Sequence, residues 1–74
     1  MTKSVILKGI VKTQPQQDDN NLSCGFFLGN LPCKVYSASL ASSVLKHINK
    51  GMTLRVCGRL SDLFFIAEHI EIHR

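Results

Sequence analysis

Apolar and polar residues alternate most regularly near the end of the chain. Leu54, Val56, Gly58 and Leu60 interleave with Thr53, Arg55, Cys57 and Arg59, the period of two of a strand buried on one face. Ser61 and Asp62 follow as a turn. Leu63 to His73 then returns with Ile70 and Ile72 set against His69, Glu71 and His73, so the two runs predict a hairpin. Gly58 stands on the apolar face where a side chain is expected, which marks a bend or a close backbone approach. A sharply bent hairpin suggests a small closed barrel.

The same alternation sets the earlier elements. Ser4 to Lys12 predicts a first strand with Val5, Leu7, Gly9 and Val11 on one face and Ile6, Lys8, Ile10 and Lys12 on the other, Gly9 repeating the role of Gly58. Thr13 to Asn21 is rich in Gln, Asp and Asn around Pro15, and reads as a mobile loop that anchors no core. Leu22 to Gly29 predicts a second strand with Cys24, Phe26 and Leu28 inward and Gly25 and Phe27 outward. Gly29 and Asn30 supply the turn. Leu31 to Tyr36 predicts a third strand with Cys33 and Val35 inward and Lys34 and Tyr36 on Phe27's side. From Ser37 to Lys50 the period changes: Leu40, Ala41, Val44, Leu45 and Ile48 fall at helical spacing, Ser37 or Ser39 can cap the start, and Gly51 can terminate the end.

Length and charge narrow the picture. Residues 1–74 allow one domain, and a chain this short buries a small share of its surface. Nine Lys and Arg against five Asp and Glu give a net charge of +4, a basic bias that favours an anionic partner. The three cysteines, Cys24, Cys33 and Cys57, are odd in number and sit at strand positions, which argues for a reducing compartment over a disulfide scaffold. The apolar run Val5 to Leu7 behind Met1-Thr2-Lys3-Ser4 is too short for a signal peptide or a membrane span, so a cytoplasmic protein is expected.

The predicted order is strand, loop, strand, strand, helix, strand, strand, with glycine bends in the first and fourth strands. Val5 to Val11, the helix ending Lys50-Gly51, Leu54 to Leu60 and Phe65 to Ile72 together resemble the oligonucleotide/oligosaccharide-binding (OB) fold. That resemblance implies an all-β, five-stranded Greek-key barrel with one α-helix between strands three and four. Within it, the opening strand and the ending Ala67-Glu68-His69-Ile70-Glu71 are similar to the bacterial single-stranded DNA-binding and primosomal replication protein N group. The group implies a homodimer acting in DNA replication. Its members carry a long loop between strands four and five that helps hold nucleic acid, where this chain reads as having Ser61-Asp62 alone.

Single strands are held by cations that track phosphates and by aromatic faces on which bases stack. The resemblance implies a ligand face on the outside of strands two and three, which brings Phe27, Lys34 and Tyr36 together. Lys8, Lys12, Arg55 and Arg59 point outward by the same alternation and extend a basic track. The plainer reading makes Phe27 and Tyr36 packing residues and the lysines a solvated face. One of Phe64 and Phe65 must face outward, as a binding aromatic or, with Ile6, Ile10 and Ile66, as an oligomer contact. His69 and His73 lie roughly 13 Å apart on a strand, too far for one metal ion, and the cysteines read as small buried hydrophobes. No nucleophile elbow, phosphate loop or ordered pair of carboxylates occurs. The expectation is a non-catalytic protein without cofactor or metal that binds single-stranded nucleic acid. DNA is preferred over RNA as the partner, and the setting is replication, repair, recombination or mobile-element maintenance. The rival is an OB-type protein–protein adaptor within a replication or repair complex.

Overall fold

The computed structural model describes residues 4–19 and 22–73. The opening residues 1–3 and the end of the predicted loop at Asn20 and Asn21 lie outside the described residues. The elements are β1 (Val5–Ile10), β2 (Gln16–Gln17), β3 (Cys24–Leu28), β4 (Leu31–Val35), α1 (Ala38–His47), β5 (Thr53–Leu60) and β6 (Phe65–His73). The strands form one six-stranded sheet in the order β1-β5-β6-β4-β3-β2. β4 and β6 run parallel, and the other neighbours are antiparallel. Just past β1, Val11 bridges Leu28 of β3. The Lys12 N–H donates to the Phe27 carbonyl, and the Gly29 N–H to the Ile10 carbonyl, each at 2.8 Å. β1 therefore touches β3 as well as β5.

Alternation places the core. Val11, Cys24, Phe26, Leu28, Cys33, Val35, Leu54, Val56, Phe65 and Ala67 are buried from the sheet side, and Ala41, Val44 and Ile48 from the helix side. Phe65 is the largest fully buried side chain, so Phe64 is the member of that pair left facing outward. Ser37 caps α1, its Oγ accepting from the Leu40 N–H at 3.4 Å. The helix stops at His47, short of the predicted Lys50, because Ile48 leaves helical geometry as it buries in the core. Gly51, at φ +96°, serves the turn that follows rather than the helix end.

Gly58 meets its prediction through the backbone. β5 shifts register against β6 between Cys57 and Gly58, a bulge, and a Cβ on Gly58 would collide with the Ile66 carbonyl. Gly9 is a milder case, since a Cβ there would meet the Leu28 side chain at 3.0 Å.

Four further expectations change. The strand count is six, because β2 forms inside the stretch read as a loop. That stretch is not without an anchor: Pro15 is buried, and the Gln14 amide is bonded to the Ile48 carbonyl and to Asn49 Oδ1, each at 3.2 Å. The connection between β5 and β6 is Ser61 to Phe64 rather than Ser61-Asp62, held by the Ser61 N–H on the Phe64 carbonyl at 2.8 Å. Leu60, predicted inward, is 61% exposed at the hairpin mouth, although its partner across the ladder, Phe65, is fully buried. Among the described residues no helix is long and apolar enough to cross a membrane.

Candidate nucleic-acid interface

β3 and β4 form a tight hairpin because Gly29 takes φ +62° at its turn. Their register sets Phe27 opposite Pro32, Phe26 opposite Cys33 and Gly25 opposite Lys34. Phe26 and Cys33 go to the core, which leaves Gly25, Phe27, Pro32 and Lys34 on the outer face. The segment after β1 then crosses beside this face. Thr13 Oγ accepts from the Phe27 N–H at 3.0 Å, and Gln16 pairs with Gly25. The Lys50 N–H donates to Gln14 Oε1 at 3.0 Å, tying the segment to the turn beyond the helix. The result is a groove of about 400 Å³ with Phe27, Pro32 and Lys34 on the sheet side and Thr13, Gln16 and Asp18 on the other.

The cation at its end is already engaged. Lys34 Nζ donates to both oxygens of Asp18, at 2.9 and 3.1 Å, and the hydroxyl of buried Ser23 donates to Asp18 Oδ2 at 2.7 Å. The Ser23 bond first, and then Lys34, hold the Asp18 carboxyl below its ordinary pKa. Beneath the groove, burial pushes the Cys33 thiol up to about 11. Burial, with the Asp18 charge adding to it, does the same for Cys24. Both thiols are free and stay protonated near neutral pH.

Phe27 is 42% exposed, so it faces outward as predicted, and it lines the groove. Tyr36 is 51% exposed but stands just past β4 and does not line the groove. Its ring packs on Phe64, with centroids 6.2 Å apart and planes tilted by 53°. Four residues of extended chain separate Pro32, opposite Phe27, from Tyr36, or roughly 13 Å, with Lys34 between them. The face therefore carries two aromatic stations rather than one cluster.

The remaining cations divide between this end of the sheet and the other. Lys12 flanks the groove, its ammonium on Asn30 Oδ1 at 3.2 Å. Arg59 is opposite Ile66, which is itself opposite Lys34, so Arg59 and Lys34 stand two strands, about 10 Å, apart. Lys8 and Arg55 lie elsewhere. They face each other across β1 and β5, Glu71 is opposite Arg55 on β6, and Lys8 Nζ is 3.2 Å from His73 Nε2. Sequence reasoning missed Phe64 as Tyr36's partner and missed the wall of Thr13, Gln16 and Asp18. Pro15, flanked by glutamines, was the available signal for the wall: proline followed by extended polar residues suits an edge strand.

Among the described residues no three His, Cys, Asp or Glu side chains converge on a point that could hold a metal ion. No protein-family model matches the chain, and no curated protein matches it. The site is read from its own geometry.

Proposed function

We propose that the chain binds single-stranded nucleic acid, DNA before RNA, on the outer face of β3 and β4 without catalysing a reaction. In this reading the sheet is an OB-type Greek-key barrel, with β2 an addition at its edge and the Val11–Leu28 bridge as its closure. The observation that carries the proposal is the groove in which an exposed aromatic, Phe27, lies beside a lysine, with exposed Tyr36, packed on half-buried Phe64, beyond it. Bases stack on Phe27 and Tyr36, and Lys12, Lys34 and Arg59 meet the backbone between and beside them. Each stacked base contributes about 1–3 kcal/mol, so two stations give modest affinity per chain, and a dimer strengthens it.

The test is fluorescence anisotropy of a labelled oligothymidylate, titrated at low and higher salt and against a duplex of equal length. Binding that prefers the single strand and weakens with salt supports the proposal. No binding at low salt, despite the net charge of +4, overturns it. It would favour the second reading, a protein-interaction adaptor, whose specific support is the exposed Ile6 and Ile10 on the outer face of β1.

A further inference from the structure

Lys34 does not stand away from the sheet to meet a ligand. A Cβ on Gly25 would lie 3.3 Å from Lys34 Cδ and 3.4 Å from Nζ, so the lysine stem is folded flat across the bare backbone of its cross-strand neighbour. It ends on Asp18, whose carboxylate is also held by Ser23. Among the described residues this is the one ion pair, in a chain with nine Lys and Arg. Its side chains remain 33% and 28% exposed, so both can turn toward solvent without unpacking the core. Like a phosphate, a carboxylate offers an ammonium a negative charge and acceptor oxygens at hydrogen-bond distance.

We infer that Asp18 occupies the phosphate position at Lys34, so that an incoming nucleic-acid backbone must displace this carboxylate to engage the lysine. The inference rests on the reading proposed above and adds to it the residue that sets the affinity. As the chain stands, Lys34 contributes little net attraction to the groove, because its charge is already neutralised within hydrogen-bond distance. The phosphate must replace a bond of the same kind, and the Asp18 charge it leaves behind repels it. Gly25 makes the exchange feasible, since the absent side chain gives the lysine stem room to swing.

The experiment compares binding of labelled oligothymidylate by the full chain and by Asp18→Asn, Glu68→Gln, Lys34→Gln and the double variant Asp18→Asn with Lys34→Gln. Glu68, exposed on β6, controls for the loss of one negative charge. The side-chain carbonyl of the substituted amide can still accept from Ser23, so the wall should keep its place, which circular dichroism checks. The expected result is that Asp18→Asn binds about 3- to 10-fold more tightly at low salt, with the same salt slope, because the Lys34–phosphate contact forms in both proteins once the carboxylate is displaced. Glu68→Gln should gain less, and the gain at Asp18 should vanish without Lys34. In the unsubstituted chain, adding oligonucleotide should move the Asp18 carboxyl titration back toward its ordinary range, followed by carbon NMR. An Asp18→Asn gain equal to that of Glu68→Gln, a gain that survives Lys34→Gln, or an Asp18 titration unmoved by oligonucleotide overturns the inference while leaving the binding reading intact. Absence of binding by every protein in the series overturns both.

Discussion

The two ends of the sheet carry similar residues on their outer faces and make different surfaces from them. On β3 and β4, Phe27 and Lys34 sit in a walled groove, and the lysine is paired. On β1 and β5, Ile6, Lys8, Ile10 and Arg55 alternate on an open face, with Lys8 directly across from Arg55. The strand alternation is equally regular in both. What separates them is the segment from Thr13 to Asp18, which runs beside β3 and has no counterpart beyond β1 among the described residues. An outward aromatic becomes the floor of a groove when a wall stands next to it, here Thr13 and Asp18 on either side of the short edge strand β2. Outward isoleucines without such a wall, Ile6 beside Arg55, Cys57, His69 and Glu71 among them, remain a surface.

The glycines offer the harshest way to probe that difference. Gly58→Ala drives a methyl group into the Ile66 backbone carbonyl, which cannot move without undoing the β5–β6 ladder, so it should cost about 1–3 kcal/mol or more in urea denaturation. Gly25→Ala presses at 3.3 Å on the flexible stem of Lys34 and reaches the Cys33 carbonyl only at an ordinary contact distance of 3.4 Å, so stability should change little while the groove narrows. Equal losses from the two substitutions would show that the groove end is as rigid as the bulge, contrary to the comparison. Next in size is Phe27→Ala, which should weaken oligothymidylate binding by about 1–3 kcal/mol, whereas Ile6→Ala on the open face should leave it unchanged. Equal effects would move the ligand off β3 and β4.

Most of the strand and helix framework could be read from the sequence, because it depends on local periods. Inward Cys24, Phe26 and Leu28, outward Phe27, the Gly29 turn, the Ser37 cap and the constraint at Gly58 all follow from spacing and from the special geometry of glycine and serine. The groove could not be read so. β2 is two residues long, too short for any period, and it exists because Gln16 and Gln17 find Gly25 and Cys24 across the chain. The Asp18–Lys34 pair likewise joins residues 16 positions apart, which alternation cannot foresee. Leu60, the last residue of β5, and Tyr36, the first beyond β4, show the same limit at element ends: a period does not say where burial or the strand stops.

The cysteines report which parts of each end are sealed. Cys24 and Cys33, buried under the groove with thiols raised to about 11, should resist a maleimide in the folded chain. Half-buried Cys57, on the outer face opposite Ile6 and His69, should react first. Mass spectrometry of labelled peptides separates the three. Raised thiols also favour the folded state only while they are neutral. Their contribution is fully present below the ordinary thiol pKa and declines as the pH climbs from there toward about 11. Rapid labelling of Cys33 at neutral pH would mean that the groove floor opens readily.

The smallest effect is the most local. Asp18 has a folded-state pKa below its ordinary value, through Ser23 first and Lys34 second, so the folded chain binds its proton less tightly than the unfolded chain does. Its contribution to holding the wall is therefore present above the ordinary carboxylate pKa and is lost as the pH falls through the folded value. Over that acid window the amide of Asp18, which donates to the Ser23 carbonyl at 2.9 Å, should exchange with solvent faster. The β1–β5 ladder, with no such pair supporting it among the described residues, should keep its protection over the same range. Hydrogen exchange as a function of pH measures both. If the two regions loosen together, the wall is part of the cooperative fold, and the groove is then as fixed as the sheet on which it stands.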